Sequence, residues 1–171
     1  AHMEDITGLI GWYAHGNEPS HHVAYLYAHA GQPWRTQARL KQVMDTQYKP
    51  TPDGLAGNDD LGQMSAWFVF TTLGFYPVTP GSNQYILGRP FVRRASLNLP
   101  NGKRFSVLAD GFDDAHPYVG RVTLDGKPLY RTFITHQGLM AGGELRFTMQ
   151  AMPNKDWPGK GAKAPYSMSV R

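Results

Sequence analysis

The sequence contains no cysteine, so a disulfide framework, a thiolate metal site and thiol catalysis are excluded. It lacks any apolar run of the roughly 18 to 20 residues that a membrane-spanning helix needs. It also lacks a basic cluster. The net charge is +4, but the cationic residues fall in scattered pairs such as Arg93-Arg94 and Lys103-Arg104. With no nucleic-acid-binding motif beside them, they argue against a nucleic-acid partner. There is no internal repeat and no low-complexity stretch. No signal peptide is visible, but Ala1-His2-Met3 resembles an expression-vector remnant, so the start of the chain carries no information on targeting.

What is present suits a core-forming chain. Its 171 residues are 41% hydrophobic and 18% charged, enough for one domain or for a small domain plus a further piece. Nine tyrosines and four tryptophans serve equally well to pack a core and to stack on the apolar faces of sugars.

The patterning changes near residue 80. Before it, apolar residues recur at helical spacing. Ser20 to Ala30 reads as a helix with Val23, Leu26 and Tyr27 on one side and Gly31 as the stop. Pro33 opens a second helix, with Leu40, Val43, Met44 and Gln47 as its inner stripe, ending before Pro50 and Pro52. A third runs from Leu61 to Leu73 and stops at Gly74. It is apolar nearly all round, through Met64, Ala66, Trp67, Phe68, Val69 and Phe70, and is expected to be buried. After Pro80 the pattern alternates. Tight turns are expected at Asn101-Gly102 and Asp125-Gly126, where positive φ angles are needed. This half is expected to be an antiparallel sheet or sandwich. A Pro-, Gly- and Lys-rich loop over 153–165 follows, with a last strand at Tyr166 to Val170. Helices first and strands later mean an α+β chain. Three helices are too few for a helical domain, so their buried faces need partners from further N-terminal sequence.

Two segments carry chemistry. Gly16-Asn17-Glu18-Pro19-Ser20-His21-His22 places an amide, a carboxylate, a hydroxyl and two imidazoles in one loop at a helix start. Helix capping by Asn17 or Ser20 explains part of it. Successive helical residues point about 100° apart, so at most one of His21 and His22 faces a given pocket. The second segment is Gly54-Leu55-Ala56-Gly57-Asn58-Asp59-Asp60-Leu61-Gly62-Gln63. Asp60 and Gln63 have the spacing of a capping box, with Asp60 as the cap. Adjacent carboxylates beside glycines also suit a general base, since one raises the other's pKa and glycine lets a sugar approach the backbone.

These segments, together with Tyr25-Leu26-Tyr27, Ala30-Gly31-Gln32-Pro33-Trp34, Thr51-Pro52-Asp53-Gly54-Leu55, Gln63-Met64-Ser65-Ala66-Trp67, Leu73-Gly74-Phe75-Tyr76-Pro77-Val78 and Pro153-Asn154-Lys155-Asp156-Trp157, resemble glycoside hydrolase family 92, the calcium-dependent exo-α-mannosidases, in the family's order. The resemblance implies an inverting hydrolase that removes terminal α-linked mannose from glycans. It implies that residues 4–80 are the last helices of an (α/α)6 barrel and residues 81–171 a C-terminal antiparallel β region, with 1–3 as the remnant. Asp60 matches the general base. Some members hold an acid two places earlier; here that place is Asn58, with Asp59 between, so either Asp59 or Asn58 supports Asp60. Asn17, Glu18 and His22 match the sugar- and calcium-binding loop, with Asn17 and Glu18 the better calcium ligands because calcium prefers hard oxygens, and Asn58 is a further candidate for binding the sugar.

The family's general acid is an upstream glutamate. Glu4 and Asp5 are the acids ahead of Glu18, and neither sits in its context. The chain alone is therefore expected to be inactive, to bind calcium weakly and to self-associate through bare helix surface. The family points to the periplasm or to secretion. A carbohydrate-binding module without catalysis is the alternative, and the position of the acidic loop in the helical half argues against it.

Overall fold

Competition from side chains shapes the start of the computed structural model, which describes residues 6–168. A small hairpin of β1 (Leu9–Ile10) and β2 (Tyr13–Ala14) comes first. The helix expected over Ser20 to Ala30 is broken into 3-10 turns at Glu18–Ser20 and Val23–Tyr25 and one α turn, α1 (Leu26–His29). Its early backbone bonds reach back three residues: Ser20 N to Asn17 O, His21 N to Glu18 O and Tyr25 N to His22 O. Ser20 donates its hydroxyl to the Asn17 carbonyl at 2.8 Å, and the His21 ring reaches the His15 carbonyl at 2.9 Å. Such bonds compete with regular helical pairing and tighten the turn.

The next two helices follow the expected starts and stops. Pro33 occupies the first turn of α2 (Pro33–Gln47), which buries Pro33, Thr36, Gln37, Leu40 and Val43 on one stripe. The Gln37 side-chain oxygen, Oε1, accepts from Val119 N at 3.0 Å and anchors α2 to the strands. α3 (Gln63–Leu73) ends at Gly74, whose φ of 90° lets its N–H reach the Phe70 and Thr71 carbonyls. The expectation that α3 is buried all round needs correction. Met64, Trp67, Thr71 and Leu73 are buried, but Phe68 and Val69 are 38% and 55% exposed. Only one face of the helix meets the rest of the described residues.

Strands β3 (Phe75–Tyr76), β4 (Gln84–Leu87), β5 (Arg94–Asn98), β6 (Arg104–Asp110), β7 (Tyr118–Leu124), β8 (Lys127–Pro128), β9 (Phe133–Thr135) and β10 (Gly143–Gln150) follow, with a short α4 (His136–Met140) before the last. β3, β4 and β9 make a three-stranded sheet that divides two cores. Alternate residues of a strand point to opposite faces. Tyr76, Ile86 and Phe133 pack with Tyr25, Leu40, Val43 and Trp67 on the helical side. Their neighbours Phe75, Leu87 and Ile134 pack with Phe105, Phe147 and Trp157 on the other. The result is a mixed α+β fold in which one sheet serves both halves.

The second sheet has the order β5-β6-β10-β7-β8. Both expected turns are present: Gly102 has a φ of 79° between β5 and β6, and Asp125 and Gly126 have φ of 49° and 76° between β7 and β8. The second is the double-positive geometry of a two-residue hairpin. The expectation of a purely antiparallel region is corrected by β10, which runs parallel to β6 and antiparallel to β7. Residues 111–117 carry the chain past the neighbouring position, and β10 later fills the slot between β6 and β7. A strand was expected over Tyr166 to Val170. Residues 166–168 form none, and the rest of it lies outside the described residues, as do the remnant at 1–3, Glu4 and Asp5.

Candidate active site

Glycine brings the two chemistry-bearing loops together. A Cβ on Gly57 would lie 3.0 Å from Gly16 Cα and 3.2 Å from its carbonyl oxygen, so the loops meet backbone to backbone. At the other end, the Gln63 amide nitrogen donates to His21 Nδ1 at 3.2 Å. Asn17 and Glu18 therefore hang between the same two tie points as Asn58, Asp59 and Asp60. Asn17, Glu18 and Asp59 are half-buried, while His22, Asn58 and Asp60 are exposed.

The two adjacent acids divide their roles, and the expected capping arrangement is reversed. Asp59, not Asp60, holds the start of α3: its two carboxylate oxygens accept from Ser65 N and Ser65 Oγ, each at 2.8 Å. Asp60 and Leu61 have φ of 45° and 56°, and Gly62 follows at 90°. Three left-handed residues in a row cannot lie in a right-handed helix, so α3 begins only at Gln63. Such backbone is costly outside glycine and asparagine-like residues. It lifts Asp60 into the open, and no hydrogen bond to its carboxylate is found among the described residues. The side chains of Asn17 and Glu18 likewise have no hydrogen-bond partner among the described residues, so the capping role expected for Asn17 is not filled.

Behind the loops lies a buried polar cluster that the sequence did not announce. His15 is fully buried. Tyr13 donates to its Nδ1 at 2.8 Å, and its Nε2 donates to Tyr48 Oη at 2.7 Å, which in turn donates to the Met64 carbonyl. The His15 ring sits 4.4 Å from the Trp67 ring, edge to face. His21, not His22, is the buried member of the histidine pair. Its Nε2 donates to the His15 carbonyl, which leaves Nδ1 as the acceptor for Gln63. No local signal marks His15, because its partners Tyr48 and Trp67 lie far along the chain.

The sequence matches the glycosyl hydrolase family 92 catalytic domain over residues 1–151. The chain belongs to glycosyl hydrolase family 92. It is 42% identical to a family 92 α-mannosidase of Bacteroides thetaiotaomicron solved with mannoimidazole, at a TM-score of 0.92 over 96% of this chain and 22% of that one. An inverting mannosidase of the same bacterium is 44% identical, at a TM-score of 0.85 over 92% and 21%. An uncharacterised secreted glycosidase of Arthroderma benhamiae is 36% identical over 78% of this chain and 18% of its own length. The chain thus spans about a fifth of the length of these relatives. No described helix is long and apolar enough to cross a membrane.

The calcium expected of family 92 fits this segment in kind but not in number. Asn17 and Glu18 offer hard oxygens with no competing side-chain hydrogen bond among the described residues, yet those residues contain no group of three or more His, Asp or Glu side chains placed to hold a metal ion. Calcium takes about six to eight oxygens.

The buried histidines give this family 92 segment a predictable response to acid. Burial, and then the neighbouring His21, push His15 down to about 3. Burial also lowers His21, against the opposing pull of the His15 carbonyl and the Glu18 charge. Both lie below the unfolded value of about 6.5. The unfolded chain therefore binds more protons below that pH, so the stabilisation is complete above about pH 6.5 and is lost as pH falls toward 3. Unfolding free energies from urea titrations between pH 7.5 and 5.0 are expected to drop, approaching about 1.4 kcal/mol per pH unit from His15, with a further fall in the same direction from His21. His15→Gln should flatten the slope. A midpoint independent of pH over that range would show that the cluster accepts protons freely.

Proposed function

We propose that this chain is the part of an inverting exo-α-mannosidase that supplies the general base and one side of the mannose-binding loop. The observation that carries the reading is the division of labour between the acids: Asp59 holds the helix, while Asp60 stands free on a left-handed turn tied to the Asn17-Glu18 loop. In an inverting reaction a carboxylic acid protonates the leaving oxygen. A carboxylate takes a proton from water on the opposite face of the ring as that water attacks the anomeric carbon. The two groups stand about 6.5–9.5 Å apart.

Asp60 is assigned as the base, with Asp59 or Asn58 in support. Asn17, Glu18 and His22 face the sugar, and Asn17 and Glu18 contribute two ligands to calcium, which when bound would grip mannose hydroxyls. The acid and the remaining ligands come from further sequence. In this reading residues 4–80 complete an (α/α)6 barrel and residues 81–171 are the β region packed on it. The protein acts on mannose-containing glycans in the periplasm or outside the cell.

The test compares the 171-residue chain with a full-length family 92 protein carrying this segment, on a panel of α-mannobioses with added calcium, following the anomer first released by NMR. The full-length protein is expected to release β-mannose, and chelation should stop it. The chain alone is expected to release none. Calcium-dependent mannose release by the chain alone would place an acid within it, and first release of α-mannose would overturn inversion.

The exposed face of α3 gives a second expectation. Phe68 and Val69, with Leu61 and Leu55 nearby in sequence, are all exposed, and open apolar patches of several hundred Å2 favour association. Light scattering of the chain alone should show oligomers that grow with concentration. A stable monomer at high concentration would count against a face normally covered by the rest of the barrel.

A further inference from the structure

The spacing of Asp60 and Gln63 suggests a helix cap, but the Gln63 side chain does something else. In a capping box the third residue's side chain reaches back to the backbone of the cap. The Gln63 amide turns inward instead. Its nitrogen donates one hydrogen to His21 Nδ1 at 3.2 Å and the other to Tyr76 Oη at 3.0 Å. Its backbone N–H, meanwhile, bonds the Asp60 carbonyl at 3.2 Å.

His21 is held just as firmly. Its ring donates to the His15 carbonyl at 2.9 Å, and its own carbonyl accepts from Trp67 Nε1 at 3.0 Å. Its backbone N–H bonds the Glu18 carbonyl at 3.0 Å. A continuous path of three hydrogen bonds therefore runs from the Asp60 carbonyl through Gln63 and His21 to the Glu18 carbonyl. Gln63 is the residue on that path that reaches from one loop to the other, and its amide fits because the neutral His21 ring presents an acceptor there.

We propose that Gln63 is a positioning residue for the reaction assigned above: through His21 it fixes the separation of the Asp60 turn from the Asn17-Glu18 loop. The proposal rests on Asp60 being the base. Gln63 is not itself required to touch the sugar, so its loss should act on the chemical step more than on binding.

The test uses a full-length family 92 protein carrying this segment, with kcat and KM measured separately on an α-mannobiose. Gln63→Met keeps the length and removes both donors. Gln63→Glu keeps the shape and can accept from the Tyr76 hydroxyl where Gln63 donates to it, but when ionised cannot donate to His21. Each is expected to lower kcat about 10- to 100-fold, the scale set by misplacing reacting groups by an ångström or so, with KM held within about threefold. His21→Asn should lower kcat similarly, and the double variant with Gln63→Met should be no worse than the poorer single one, because both break the same link.

Full kcat in both Gln63 variants, or losses that multiply in the double variant, would overturn the proposal. Asp60→Asn is run alongside. If it stays active, the base assignment itself has failed; if it is inactive while the Gln63 variants keep full kcat, only the positioning role has failed. Circular dichroism checks the fold of each. Should Gln63→Met not fold, Gln63→Glu decides, and if neither folds, Gln63 is a structural residue and the proposal is overturned.

Discussion

Replacing Asp60 by Asn in a full-length family 92 protein carrying this segment is expected to lower kcat by at least about 100-fold and up to about 10,000-fold, the usual contribution of a general base, while leaving the melting temperature unchanged. The amide has the shape of the carboxylate and cannot take the proton from water. Asparagine also tolerates the left-handed backbone at this position, where φ is 45°, so the turn should survive. The informative partner is Asp59→Asn. Asp59 accepts from both Ser65 N and Ser65 Oγ, and weakening that arrangement at the start of α3 should cost about 0.5–2 kcal/mol, as for a lost helix cap. The expected pattern is a crossed one, with Asp60→Asn dead and stable and Asp59→Asn destabilised and partly active. Kinetics with thermal melts on both proteins would read it directly. The reverse pattern would make Asp59 the base and Asp60 a structural residue.

Which of these features could be read from the sequence depends on the range of the interactions that create them. Gly74 as the stop of α3 and Asp125-Gly126 as a hairpin turn follow from the φ angles those residues adopt, and both were legible. So was the first turn of α2 at Pro33. The broken helix at residues 18–29 was not, because the bonds that break it come from Ser20 and His21 reaching back into the preceding loop. The insertion of β10 between β6 and β7 is likewise invisible to turn signals, which specify only neighbouring hairpins.

At the site, the sequence marked Asn17 with Glu18 and Asp59 with Asp60 as two separate segments beside glycines, and only the family resemblance joined them. The sequence misassigned the capping acid because the spacing of Asp60 and Gln63 presumes right-handed backbone between them, and Leu61 with a φ of 56° breaks that presumption. Of the His15 cluster, only His21 was singled out. Its bonds join residues 33 positions apart, His15 to Tyr48, and 46 apart, His21 to Trp67, and no local period records such pairs.

Trp67→Ala is expected to be the most destabilising single change in the helical half. The side chain is fully buried. It lies edge to face with His15 at 4.4 Å and parallel to Tyr48 at 5.8 Å, with ring planes 2° apart. Its indole N–H donates to the His21 carbonyl at 3.0 Å. Truncating a buried tryptophan costs about 3–5 kcal/mol, and leaving the His21 carbonyl without its donor adds about 1–3 kcal/mol. Against a total stability of about 5–15 kcal/mol, that loss takes most of the margin, and at about 2–4 °C per kcal/mol for a chain of this size the melting temperature should fall by at least about 8 °C. Trp67→Phe separates the two contributions, since it keeps much of the ring packing and removes only the donor. Its expected loss is about 1–3 kcal/mol, the cost of an unsatisfied buried acceptor. Urea unfolding of the three proteins at pH 7.5, where His15 and His21 are neutral, measures both steps. Equal losses for Phe and Ala would mean that the hydrogen bond to the His21 carbonyl, rather than ring packing around His15, holds the two loops against α3.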